Sequence, residues 1–197
     1  FKIWRGDKEL GNFISYSVDI EDGMVVLDAL HKIQAENAFD MAIRWNCKAG
    51  KCGSCSMEIN GYPKLACMTR MNELPYDEKI VIQPLKAFPI IKDLVTDVSW
   101  NYKQNKKIVP FNPGKQQHNK NRIMHQQDVE RVQEFRKCIE CYLCQNVCHV
   151  IREHEQKNEF VGPRFMIRLA SLDMHPLDKE DRIPAIKEEY GSGMCNI

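Results

Sequence analysis

Arg44 to Cys67 reads RWNCKAGKCGSCSMEINGYPKLAC, and its cysteine spacing governs the reading of the rest of the chain. Cys47-x4-Cys52-x2-Cys55, with Cys67 farther on, is the plant-type spacing for a [2Fe-2S] cluster. Three thiolates on one tight loop can wrap an iron pair while the fourth arrives from a neighbouring strand. Gly50 and Gly53 lie inside the loop, where the missing Cβ lets backbone N–H groups approach sulfur. Zinc also takes four thiolates, but structural zinc usually joins two Cys-x2-4-Cys knuckles. Three cysteines crowded on one Gly-bearing loop fit that arrangement less well.

Around this stretch the pattern is one of short strands about one helix. Ser56–Ile59 and Lys64–Cys67 flank Asn60-Gly61, a dipeptide that accepts the positive φ of a tight hairpin. Upstream, Ile14, Tyr16, Val18 and Ile20 alternate with polar residues, which predicts a strand with one buried face, paired with the opening run Phe1–Arg5. Asp22 is placed to cap a helix whose apolar positions include Val26, Leu30 and Ile33. Lys79–Gln83 predicts another strand, ended by Pro84. This order resembles a β-grasp, so the first part of the chain is expected to be α+β.

The second cysteine group, Cys138-x2-Cys141-x2-Cys144-x3-Cys148, follows the bacterial ferredoxin run. By that rule Cys138, Cys141 and Cys144 share a [4Fe-4S] cubane and Cys148 serves another cluster. His149 replaces the proline usual after the fourth cysteine. Asp128–Lys137 carries apolar residues at helical spacing, and Gly162-Pro163 opens a second amphipathic helix over Arg164–Leu172. The intervening text from Trp100 to Arg122, rich in Asn, Lys, Gln, Pro and Gly, has the composition of an exposed connector. The expected domains are therefore residues 1–100, a connector over 101–122, and a helical domain over 123–197.

The chain of 197 residues holds 9 cysteines, and 28 basic against 27 acidic residues give a net charge of +1, which removes the electrostatic case for nucleic-acid binding. Met24-Val25-Val26-Leu27 and Ile80-Val81-Ile82 are far shorter than the roughly 18 apolar residues of a membrane span. Phe1-Lys2-Ile3-Trp4-Arg5 lacks the apolar core of a signal peptide and an initiator Met, so the text is expected to begin inside its gene product. Disulfides are disfavoured in that setting. Once the first cluster has its four ligands, the other cysteines fall short of the at least seven that two further clusters need, so either the chain continues beyond Ile197 or this half holds a single cluster.

Three stretches together resemble the iron-sulfur subunit family of succinate dehydrogenase and fumarate reductase: Arg44–Cys67, FPIIKDLVTD at Phe88–Asp97, and FRKCIECYLCQNVC at Phe135–Cys148. GPRF at Gly162–Phe165, HPLDKEDR at His175–Arg182 and GMCN at Gly193–Asn196 match in the same order. The resemblance implies a β-grasp plant-type ferredoxin domain followed by an all-α bacterial-ferredoxin-like domain. It implies [2Fe-2S] on Cys47, Cys52, Cys55 and Cys67, [4Fe-4S] on Cys138, Cys141 and Cys144, and [3Fe-4S] on Cys148 and Cys195. Each of the last two clusters would need one ligand more, placed in the family just beyond the position of Cys195.

In such a complex, succinate reduces FAD on a flavoprotein subunit, and electrons pass through the three clusters to a membrane quinone, linking the tricarboxylic acid cycle to the respiratory chain. The implied partners are the flavoprotein, a cytochrome b type anchor and the quinone, with no nucleic acid. The implied place is peripheral, on the cytoplasmic face of a bacterial inner membrane or on the matrix face in mitochondria. The same architecture serves fumarate reductase in reverse, and a soluble multi-cluster carrier of another flavin-linked complex would share the spacing. The family commonly has Pro after the fourth cysteine and a Trp near the quinone, whereas here Cys148 is followed by His149-Val150-Ile151-Arg152-Glu153-His154. His149 is the one candidate for a quinone role. A metal or proton-relay role is discounted for His31, His154 and His175; His118 and His125, in or beside the polar connector, and the basic run Lys103, Lys106 and Lys107 read as solvated surface, and the methionines as core filler.

Overall fold

Phe1 anchors the first hairpin: its amino group donates to the Tyr16 carbonyl (2.7 Å) and its carbonyl accepts the Tyr16 N–H (2.8 Å). Between them run β1 (Lys2–Gly6) and β2 (Gly11–Ser15), antiparallel with Ile3 opposite Ile14 and Trp4 opposite Phe13. The computed structural model describes residues 1–115, 121–153 and 157–195; His118, His154 and Asn196 lie outside the described residues. The chain divides into two compact units, Phe1–Val98 with Ile139–Val147, and Ser99–Cys138 with Cys148–Ile197.

In the first unit a mixed sheet has the order β2-β1-β5-β3-β4, with β3 Ser56–Ile59, β4 Tyr62–Leu65 and β5 Val81–Gln83. Only the β1–β5 pair is parallel. Helix α1 (Val26–Glu36) buries Val26, Leu27, Ala29, Leu30 and Ile33, a helical stripe in one core with Ile3, Met57, Ile59 and Ile82.

Two expectations shift here. The strand expected over Ile14–Ile20 stops at Ser15, whose partner on β1 is Lys2. Ile14 and Ile20 are exposed, and Tyr16 and Val18 rest at the edge of the core. Helix α1 begins at Val26, four residues beyond the expected cap Asp22. Val25 is bridged to Arg70, and the Val26 N–H donates to the Thr69 carbonyl, so Val25 is held extended at φ −107° and ψ 164°. The carboxylate that serves the helix start is that of Asp28, which accepts the Val25 N–H at 3.2 Å.

The β3–β4 hairpin turns where expected, through Asn60 (φ 50°) and Gly61 (φ 80°). Asn60 also joins the turn to β5, donating its N–H to the Val81 carbonyl and accepting the Val81 N–H. A Cβ at Gly61 would meet no atom within 4 Å. Gly61→Ala is therefore expected to cost only the left-handed backbone penalty, about 1–2 kcal/mol, in denaturant unfolding, with cluster content unchanged.

The Phe88–Asp97 motif forms a second small hairpin, β6 (Ile90–Lys92) and β7 (Val95–Thr96). Its buried Asp93 accepts N–H groups of Gly6 and Ala42 and the Arg5 guanidinium at 2.8 to 3.0 Å, which ties the hairpin to β1.

The second unit is helical: α2 (Ser99–Lys107), α3 (Gln126–Arg136), α5 (His149–Glu153), α6 (Pro163–Asp173) and α7 (Ile183–Glu188); the short α4 (Leu143–Val147) belongs to the first unit. Helices α3 and α6 lie side by side as two of the expected helices, and Gly162 (φ 88°) and Pro163 open α6. Residues 101–107 of the segment whose composition read as a connector are helical, within α2. The buried face of α2 is made of amides, Asn101 and Gln104, so hydrophobic periodicity did not register it. Lys103, Lys106 and Lys107 are exposed on the same helix.

Candidate metal centres

The loop from Cys47 to Cys55 makes three left-handed turns, at Lys48, Gly50 and Gly53, which coil the backbone inward so that its N–H groups face sulfur. Ala49 and Lys51 donate to Cys47 Sγ at 3.4 and 3.2 Å. Ser54 donates to Cys52 Sγ at 3.5 Å, and Gly50 donates to Cys67 Sγ at 3.3 Å. Cys67 sits in a 3-10 turn directly after β4, and its own N–H donates to Cys55 Sγ at 3.4 Å. Each of the four sulfurs thus accepts at least one backbone N–H.

The Cys52 thiol interacts with Cys47, and the Cys55 thiol with Cys67 and with Cys52. The Ser54 hydroxyl, with the N–H groups of Cys47 and Ser54, holds the Cys52 thiol down at about 6, whereas burial pushes the Cys55 thiol up to about 11.

The second cysteine group is shared between the units: Cys141 and Cys144 lie in the first, Cys138, Cys148 and Cys195 in the second. Cys141 is flanked by two non-glycine residues in the left-handed region, Glu140 (φ 55°) and Tyr142 (φ 60°). Such strain persists only where surroundings enforce it. Tyr142 is buried, edge-on to Phe88 at 6.2 Å, and a Cβ on Gly53 would stand 2.6 Å from Cys141 Cα. Cys144 is the second residue of α4, and the Cys148 carbonyl accepts the Arg152 N–H at the start of α5. His149 is exposed at the first position of α5, a place that proline also suits.

Residues 1–103 match the family of 2Fe-2S iron-sulfur cluster binding domains. The succinate dehydrogenase iron-sulfur subunit of Coxiella burnetii is 31% identical over 176 residues, covering 88% of this chain and 73% of that one. This chain belongs to the family of succinate dehydrogenase iron-sulfur subunits. It also aligns with the Mycobacterium smegmatis Sdh1 complex in the apo form at a TM-score of 0.96 and 55% identity, over 99% of this chain and 82% of that one. A CoM/CoB-type fumarate reductase subunit of Methanothermobacter marburgensis is 32% identical over 93% of this chain, which spans only 35% of that protein. As a member of the succinate dehydrogenase family the chain is an electron-transfer component of an oxidoreductase complex. Its clusters are of the [2Fe-2S], [4Fe-4S] and [3Fe-4S] types, and FAD belongs to the flavoprotein partner. No helix among the described residues is long and apolar enough to cross a membrane.

The cysteine spacing did not point to Glu58 and Asn146, both wholly buried, or to the buried pair Asp178 and Arg182. A faint signal for Glu58 was present: Met57, Glu58 and Ile59 are all buried, so a carboxylate interrupts an otherwise apolar strand. The remaining described histidines have structural surroundings. His31 packs edge-on against Trp45 at 4.8 Å, His175 against Phe111 at 4.8 Å, and His125 precedes α3.

Proposed function

We propose that the chain feeds electrons from succinate-reduced FAD to a membrane quinone through [2Fe-2S] on Cys47, Cys52, Cys55 and Cys67, [4Fe-4S] on Cys138, Cys141 and Cys144, and [3Fe-4S] on Cys148 and Cys195. The last two clusters take one further ligand each from outside these nine cysteines. The architecture is read as a β-grasp plant-type ferredoxin domain over residues 1–100, a connector over 101–122, and an α-helical cluster domain over 123–197. The complex sits peripherally on the cytoplasmic face of a bacterial inner membrane or the mitochondrial matrix face, bound to a flavoprotein and a cytochrome b type anchor. His149, beside a cluster ligand, is the candidate on this chain for contact with the quinone.

The observation that carries this reading is a set of four cysteine sulfurs that each accept a backbone N–H group, in a chain 31% identical to a succinate dehydrogenase iron-sulfur protein. These N–H groups stabilise charge on the sulfurs and so raise the tendency of the cluster to accept an electron. Fumarate reduction is the second reading, favoured by the methanogen relative's name, and the greater coverage of the succinate dehydrogenase relative gives succinate oxidation precedence.

Low-temperature EPR of the anaerobically isolated, full-length complex tests it. The oxidised complex is expected to show a [3Fe-4S] signal and the reduced complex a [2Fe-2S] signal. Cys55→Ala is expected to abolish the [2Fe-2S] signal and spare the [3Fe-4S] signal, and Cys148→Ala to do the reverse. Zinc without acid-labile sulfide would overturn the redox reading.

A further inference from the structure

The segment carrying Cys141 and Cys144 is fastened to the sheet by a buried polar pair that the cysteine motifs do not contain. Glu58 lies on β3, three residues after the ligand Cys55, and is 0% exposed. Its Oε1 accepts the Asn146 side-chain amide at 2.8 Å, and its Oε2 accepts the Gln83 side-chain amide at 2.6 Å. Gln83 stands opposite it on β5, and Lys86 Nζ lies 3.7 Å from the same carboxylate. Asn146, also 0% exposed, lies on α4 two residues after Cys144, and its Oδ1 accepts the Ala87 N–H at 3.0 Å. One asparagine amide thus uses its donor on β3 and its acceptor on the turn after β5. Only this pairing satisfies both ends without placing two donors or two acceptors together.

We propose that Glu58 and Asn146 form a positioning latch for the second cluster. It fixes α4, and with it Cys141 and Cys144, against the sheet that carries the first cluster. Cys144 is exposed, and the backbone on both sides of Cys141 is strained, so the loop has little of its own to hold it in a ligating geometry. Buried, fully paired polar groups impose a unique arrangement because a broken one leaves an unpaired group in a low dielectric. The latch makes no bond to iron and so acts through the ligands.

This inference rests on Cys141 and Cys144 binding a cluster, and the test separates the two. Asn146→Asp keeps the acceptor for the Ala87 N–H but replaces the amide that donates to Glu58 by a second carboxylate oxygen. In the full-length complex the [4Fe-4S] cluster of that variant is expected to be lost to an iron chelator about tenfold faster, the scale of substitutions around the ligands of metal sites, with an altered reduced EPR line shape. The [2Fe-2S] signal is expected to be unchanged. In Asn146→Asp with Glu58→Gln, the new amide donates to the carboxylate now at position 146 and accepts from Gln83, so chelator resistance is expected to return. If Asn146→Asp lowers thermal stability but leaves [4Fe-4S] loss rate and line shape as in the parent, the pair is merely structural and the latch is overturned. A parent complex with no [4Fe-4S] signal under any reduction would instead sink the ligand assignment.

Discussion

Gly53→Ala is expected to damage the second cluster loop as well as the first. At φ 70° any side chain pays the left-handed penalty of about 1–2 kcal/mol. The added Cβ would also stand 2.6 to 2.9 Å from the Cα, Cβ and N of Cys141. These are mostly backbone atoms, already strained on both sides, and they cannot rotate away. Overpacking of that kind adds about 1–3 kcal/mol and has to move either the Cys52–Cys55 turn or Cys141. Gly50→Ala is the matched control. It has the same backbone sign, φ 64°, but its Cβ would meet the flexible Met68 side chain. Gly50→Ala combined with Met68→Ala is expected to keep the backbone penalty alone, whereas no side-chain truncation relieves the steric part of Gly53→Ala. Iron and sulfide content with [2Fe-2S] and [4Fe-4S] spin quantitation reads the difference. Equal cluster contents in Gly53→Ala and Gly61→Ala would show that contact with Cys141 is unimportant.

The contrast among these three glycines marks what a sequence can and cannot disclose. Gly61 was legible because Asn-Gly between two β-rich runs carries its own turn geometry. Gly50 and Gly53 were legible as loop glycines, since a cysteine loop around iron needs a close backbone. That Gly53 packs on Cys141, in a motif far along the chain, was not legible, because spacing reports local geometry and says nothing of which distant segments touch. The same limit hid Asn146, whose partner Glu58 lies in another motif. The strand over Ile14–Ile20 failed for a related reason. Alternation records which residues tolerate burial, but a strand also needs a neighbouring backbone, which alternation does not report. Helix α2 escaped notice because its buried side chains are amides, invisible to a hydrophobic period. The four cysteines proposed for the first cluster were the easiest to pick out, since the chemistry of such a cluster ties residue type to spacing within one contiguous stretch.

Arg182→Met is expected to cost the second unit on the order of 3–5 kcal/mol, the loss typical when one partner of a buried ion pair is removed. Arg182 and Asp178 are both about 2% exposed or less, and the guanidinium reaches Asp178 Oδ2 at 2.7 Å. Arg182 also donates to the carbonyls of Val109 and Pro110, at 2.6 and 3.0 Å, in the segment that follows α2. On the other side, Asp178 Oδ1 accepts the Asn112 and Glu180 N–H groups. The HPLDKEDR motif is therefore a clamp that fastens residues 109–112. Removing Arg182 strands two carbonyls and a carboxylate together, so an apolar replacement gains nothing here. Asp178→Asn keeps the acceptor for Asn112 and Glu180 but turns an amide toward the guanidinium, and the double variant is expected to lose less than the sum of the two singles. Burial raises the Asp178 carboxyl, but Arg182 and the two N–H groups outweigh it and hold it below the usual carboxylate range. A depressed folded value means that the contribution is complete above the ordinary value of about 4 and is lost as pH falls through the lower one. Denaturant unfolding of the full-length, cluster-loaded protein between neutral and acid pH is thus expected to show a drop in stability at the acid end that Asp178→Asn flattens. An acid limb of the same steepness in Asp178→Asn would show that the clamp is held by its backbone contacts alone.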